Sequence, residues 1–190
     1  MRRRVLTIGG SAAIVVAVAG IAVWIDARDD ERAGLPPDPT LAADVTQRLV
    51  RSLEQDPRFR TEISQEPGRR PVCAAKLIGI APAAATDMAR VEKVYAWVVC
   101  KWIPTGTSTS GPTADGLSGL TSPIAVQFRP DFRYTLPADG EGHEESVKDI
   151  FPTNLHQVAT DGVPGSGSLE TIVNQRISRL IPLPSPSQSG

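Results

Sequence analysis

The sequence predicts an α+β protein: an N-terminal transmembrane helix, then a two-layer domain with an amphipathic helix on a four-stranded antiparallel sheet. Three observations carry that reading. Residues 5–25 contain no charged side chain. Leu41, Val45, Leu49 and Leu53 recur every four residues, the spacing of one apolar helix stripe. Four later stretches are rich in β-branched and aromatic residues or alternate between apolar and polar, as strands do.

The apolar run is long enough to cross a bilayer. At ~1.5 Å per residue it extends roughly 31 Å, against a hydrocarbon core of about 30 Å. Arg2, Arg3 and Arg4 precede it; Asp26, Asp29, Asp30 and Glu31 outnumber Arg28 and Arg32 after it. That asymmetry predicts a single-pass protein of the cell membrane with residues 1–4 in the cytoplasm, residues 5–25 as signal-anchor, and everything beyond outside the cell. The alternative is secretion after cleavage following Ala17-Val18-Ala19, an acceptable small-residue site. The continuation of the apolar run to Ile25 favours retention. No cysteine lies near the segment, which excludes a lipid-modified thiol there.

Cys73 and Cys100 are the two cysteines. Neither belongs to a Cys-x-x-Cys pair, and no neighbouring histidines complete a zinc site. Outside the cytoplasm such a pair reads as one disulfide. Residues 72–80 and 91–103 both read as strands. Pairing them antiparallel with Cys73 opposite Cys100 sets Ala75 against Val98, Leu77 against Ala96 and Gly79 against Val94, an apolar face. Lys76, Lys93 and Lys101 then fall on the other face, so a one-residue slip would destroy the sorting.

The remaining organisation follows in order. Residues 26–39 form a juxtamembrane linker, stiffened over 33–39, with Asp38 capping the helix and Pro39 at its first position. Asp56-Pro57 ends that helix, and the polar stretch 58–71 is an irregular crossing. An Ala/Pro-rich connection spans 81–90, and a Thr/Ser/Gly/Pro loop spans 104–123. A hairpin turning at Arg129-Pro130-Asp131 opposes Phe128 to Phe132, Val126 to Tyr134 and Ile124 to Leu136. One helical turn begins at Ser146 and closes before Pro152. Ser168 caps a last helix whose Leu169, Ile172, Val173, Ile177, Leu180 and Ile181 share a stripe. The extracytoplasmic domain therefore covers 40–182, and 183–190 form a disordered tail.

Composition narrows the function. With 20 basic and 21 acidic residues and a net charge of −1, no basic surface for nucleic acid is expected. Ser118, in Gly-Leu-Ser-Gly-Leu, lacks nucleophile-elbow spacing, and no strand leads into Ser166 or Ser168. The chain's histidines, His143 and His156, supply no triad. Asp139, Glu141, His143 and Glu145 beside two glycines are candidate ligands for Ca²⁺ or a transition metal. EF-hand spacing and a second histidine are absent, so a solvated acidic loop is the plainer reading. Tyr95 and Trp97 face away from Cys100, on the side bearing the lysines. They would form a ligand-binding platform unless the final helix or the loops cover them. No cofactor is implied.

The element order, one helix then four antiparallel strands, resembles cystatin-like and NTF2-like folds, although Gln157-Val158-Ala159 lacks the spacing of the cystatin inhibitory motif. The anchor, the strand ending Val-Tyr-Ala-Trp-Val-Val-Cys at Cys100, the strand start Ser122-Pro123-Ile124, and Asp149-Ile150-Phe151-Pro152 resemble small membrane-anchored exported proteins of high-GC Gram-positive bacteria without assigned activity. That likeness covers residues 70–152 and transfers no catalytic residue. It implies a binding or adaptor module of the cell envelope, with an envelope protein or a small molecule as partner. The enzyme alternative is an NTF2-like hydrolase or isomerase with a sheet-floored pocket.

Overall fold

A computed structural model describes residues 33–36, 38–64, 67–105 and 116–181. The expected anchor over 5–25, most of the juxtamembrane linker, and the tail over 183–190 lie outside the described residues. Among the described residues no helix is long and apolar enough to cross a membrane.

Helix α1 spans Pro39–Gln55, with Asp38 as its cap: the Thr40 amide donates to Asp38 Oδ1 at 2.7 Å. Leu41, Val45, Leu49 and Leu53 are its buried stripe, as the spacing predicts. The chain stops at Asp56 and restarts at once. Asp56 Oδ1 accepts from the Phe59 amide at 2.9 Å, capping a second helix, α2, over Pro57–Ser64. The irregular crossing expected over 58–71 is therefore corrected. Asp-Pro here is a helix start as well as a helix stop, and Phe59 and Ile63, four residues apart, are the apolar face that α2 packs inward.

The sheet comprises β1 (Arg69–Ala81), β2 (Lys93–Pro104), β3 (Gly119–Gln127) and β4 (Arg133–Thr135) in the order β1-β2-β3-β4, with every pairing antiparallel. Cys73 faces Cys100, Ala75 faces Val98 and Leu77 faces Ala96, in the predicted register. Beyond Leu77 a β-bulge intervenes, so Gly79 faces Tyr95 and Ile80 faces Val94. The extra residue places Ile80, rather than a glycine, in the core beneath α1. In the hairpin Val126 faces Tyr134 as expected, and Phe128 and Phe132 follow with ring centroids 6.2 Å apart. Strand β4 ends at Thr135, so the ladder stops short of an Ile124–Leu136 pair.

Two layers become three. One sheet face packs on α1 and α2 around Val45, Leu49, Phe59, Val98 and Trp102. The other is covered by α3 (His143–Ile150), α4 (His156–Asp161) and α5 (Gly167–Leu180), which enclose two further apolar clusters. Lysines on that face do not signal solvent. Lys101 is only 8% exposed and donates to Glu170 Oε1 at 2.9 Å and Asn174 Oδ1 at 3.0 Å on α5. Lys76 donates to the Pro164 carbonyl. Their stems pack while their ammonium groups bond the covering layer, and Val72, Ala74, Val99 and Ile103 between them form the apolar floor for α5.

The single turn expected at Ser146 is a helix of eight residues. On α5, Leu169, Val173 and Ile177 face the sheet, whereas Ile172 and Leu180 are 44% and 46% exposed. The segment 33–36, expected as a spacer, is docked: Gly34 exchanges two backbone hydrogen bonds with Ile80, at 3.0 and 2.7 Å, on the outer edge of β1.

Gly79 is where bulge, docked segment and covering layer meet. A Cβ there would lie 3.0 Å from Leu155 Cδ1 and 3.4 Å from the Gly34 nitrogen. Gly79→Val is expected to destabilise the fold by about 1–3 kcal/mol through overpacking. An unchanged urea midpoint would contradict that placement.

Candidate functional site

The covering layer determines what the expected site residues can do. Tyr95 is fully buried, its ring centroid 5.6 Å from that of Phe151. Trp97 is half-buried between the two clusters of the covered face, with Gly162 against its indole. Tyr95 thus offers no open aromatic face, and the platform expected of the pair lies beneath the helices. Asp139, Glu141 and Glu145 are exposed and His143 is half-buried. A 3-10 turn at Gly140–Gly142 and the start of α3 spread these four along a helical path. His143 Nδ1 donates to the Ala138 carbonyl at 3.1 Å. Among the described residues no three His, Cys, Asp or Glu side chains gather as a metal site. His156 Nε2 donates to the Phe151 carbonyl at 2.7 Å, a core-edge contact.

Cys73 and Cys100 form the expected disulfide, with Cα atoms 4.0 Å apart and both residues fully buried. So close an approach marks a non-hydrogen-bonded pair of the ladder. The N–H and C=O of Cys73 therefore turn away from β2, as do those of Ala75 and Leu77 along the same strand. Cys73 has partners on that side. Its amide donates to Glu54 Oε1 at 2.8 Å, and its carbonyl accepts from Arg176 Nη1. Arg176 also grips Glu54 through both terminal nitrogens, at 2.7 and 3.1 Å. The pair, one member from α1 and the other from α5, supplies the acceptor and donor that a neighbouring strand would otherwise supply.

Beside this clasp lies a groove of about 630 Å³ along the β1 edge. Ala42, Ala43, Thr46, Gln47 and Val50 of α1 form one wall, Ile172 and Arg176 of α5 the other, and Cys73, Ala74 and Ala75 the floor. Its small residues bring the strand edge within reach of a ligand. The Thr46 hydroxyl is turned back onto the Ala42 carbonyl at 2.8 Å. The lining therefore offers apolar contact and main-chain hydrogen bonds, and it contains no carboxylate, imidazole or free thiol.

A second concavity of about 630 Å³ separates α2 from the β3–β4 hairpin and is lined by Asp56, Arg58, Glu62, Asp131, Phe132, Arg133 and Tyr134. Much of its polarity is engaged in holding α2 to the hairpin. Arg58 donates to the Phe132 carbonyl at 2.7 Å, and the Tyr134 hydroxyl donates to Glu62 Oε2 at 2.6 Å. Burial raises the Tyr134 pKa well above the ordinary phenol value, and the hydrogen bond and negative charge of Glu62 raise it further. Tyr134 is thus a fixed donor rather than a base. Because the folded value is the higher one, its stabilisation is whole below about pH 10 and is lost as pH rises beyond that. Wild-type stability is expected to fall more steeply above pH 10 than that of Tyr134→Phe; equal slopes in alkaline denaturation would refute the assignment.

Comparison with protein-family models, curated proteins and solved structures finds no match. The reading of the site rests on its own geometry. Glu54 and Arg176, which that geometry brings forward, had no local signal in the sequence: they lie in different helices and meet only through the fold. The alanines at 42, 43, 74 and 75 were visible, but as composition rather than as a groove.

Proposed function

We propose that this chain is a membrane-anchored, extracytoplasmic binding or adaptor module of the bacterial cell envelope. The charge-free segment 5–25 with its preceding arginines supports the anchor and its orientation, and the buried Cys73–Cys100 disulfide suits an oxidising compartment. The observation that carries the binding reading is the β1-edge groove, lined mostly by small and apolar residues, with Gln47 and Arg176 in its walls and neither a carboxylate nor an imidazole among its lining residues. Such a surface recognises and holds a partner. The NTF2-like enzyme alternative draws no support from the sheet, whose back face is filled by α3–α5.

The test is crosslinking of the full-length protein in intact cells, with mass spectrometric identification of what is joined. A recurrent envelope partner, crosslinked through residues of α1 or α5 beside the groove, is the expected result. Adducts scattered over the whole domain without a recurrent partner would contradict the adaptor role.

A further inference from the structure

We infer that the end of the domain formed by residues 82–92 and the β3–β4 turn at 128–132 is its membrane-facing surface, held against the outer headgroup layer of the bilayer. The inference rests on the membrane-anchored reading and deepens it. The direction of the chain where it joins the domain, and the reach of what precedes it, select the bilayer as what this end meets.

Gly34 pairs antiparallel with Ile80, and the two exchange backbone hydrogen bonds of 3.0 and 2.7 Å. Strand β1 runs toward Ala81, so its antiparallel partner runs the opposite way. The chain therefore arrives at Gly34 from beyond the Ala81 end of β1. The sheet carries that end across to the hairpin: Ala81 faces Lys93, Lys93 faces Gln127 and Gln127 faces Arg133. The connection after β1 and the turn after β3 thus project from one row, on the side from which the chain comes.

Reach excludes the opposite pose. Nine peptide steps separate Ile25, the last residue of the charge-free segment, from Gly34. At about 3.4 Å per step they extend ~31 Å at most. The headgroup region beside the hydrocarbon core uses roughly 5–8 Å of that. Ile80 and Arg69, at the two ends of β1, are eleven residues apart, about 36 Å of strand. A tether leaving Gly34 cannot run back over that length and still bring the Arg69 end to the lipid. The groove floor at Cys73–Ala75 consequently stands roughly 20 Å behind the lipid-facing end, where a partner outside the bilayer meets it.

Charge does not make the choice. Arg90, Arg129 and Arg133 stand at this end with Asp87, Glu92 and Asp131. Arg90 pairs with Asp87 at 3.5 Å, and Arg129 donates to the carbonyls of Ala89 and Val91. Lys93 shares a cavity wall with Asp149. With the signs balanced, attachment sets the orientation, which should be the same on neutral and on anionic lipid.

The native cysteines are bonded to each other, so one added cysteine is the sole free thiol. Thr86→Cys and Asp131→Cys mark the lipid-facing end and Ser118→Cys the other, all at exposed positions. The full-length variants are reconstituted in vesicles of phosphatidylcholine, with or without phosphatidylglycerol, that carry a headgroup-linked acceptor dye. A membrane-impermeant donor maleimide then labels outward-facing domains alone. Energy transfer is expected to be at least twofold more efficient from positions 86 and 131 than from 118, in both lipid mixtures. Equal or reversed efficiencies in protein that floats with the vesicles would overturn the orientation while leaving the anchor in place. An order that emerges only with phosphatidylglycerol would overturn the tether as its cause. Protein that fails to float with vesicles would overturn the anchored reading and this inference together.

Discussion

Replacing Phe59 with alanine is expected to lower the unfolding free energy by about 3–5 kcal/mol, the range for deleting a fully buried aromatic side chain. Phe59 is completely enclosed, stacked on Trp102 with centroids 6.0 Å apart and edge-on to Tyr134 at 5.2 Å. It joins α2 to the middle of the sheet and to the hairpin, so its loss leaves a cavity lined by parts of three elements. Urea denaturation of Phe59→Ala and Phe59→Leu measures the effect. The leucine variant, which refills much of the space, should recover a substantial part of the loss. If both variants unfolded at the wild-type midpoint, α2 would not belong to the core.

The disulfide is the second large contributor. Cys73 and Cys100 are separated by 27 residues, and closing a loop of that size restricts the unfolded chain by about 3–4 kcal/mol on the chain-entropy account. The double variant Cys73→Ala/Cys100→Ala should lose roughly that amount. Reducing the wild type should shift its denaturation midpoint in the same direction. Both sulfurs lie in the apolar core beneath α1, so the single variants, each leaving one thiol there, should be at least as destabilised as the double. A double variant within about 1 kcal/mol of wild type would show that the covalent link adds little to a strand pairing that already stands.

How far the sequence reveals this molecule depends on whether a signal is local. The α1 stripe, the Asp38 cap, the cysteine register and the Val126–Tyr134 pairing all follow from periodicity within a few residues or across one turn. The bulge after Leu77 does not, because a 2.0 period continues through Ile78 without a visible break. The third layer was hidden by Lys76, Lys93 and Lys101, which mimic a wet face. Lys101 in fact reaches Glu170 and Asn174 far along the chain. Helix α2 does have a local signal: Asp56-Pro57 with Phe59 and Ile63 carries a helix start and an apolar spacing. The candidate site was least legible. Tyr95 and Trp97 read as a surface from the strand pattern alone, because the helices that cover them come later in the chain and leave no mark on β2. The clasp of Glu54 and Arg176 joins residues 122 positions apart, a relation no local pattern records.

The account depends most directly on the domain standing in an oxidising space beyond the membrane, and the state of its two sulfurs in living cells reports on that. Cells are quenched in acid, denatured, treated with a mass-shifting maleimide, and compared with a sample reduced first. The account predicts that the full-length protein gains no label until it is reduced, and two labels afterwards. Labelling of both cysteines without reduction would place the domain among reducing surroundings and contradict the proposal.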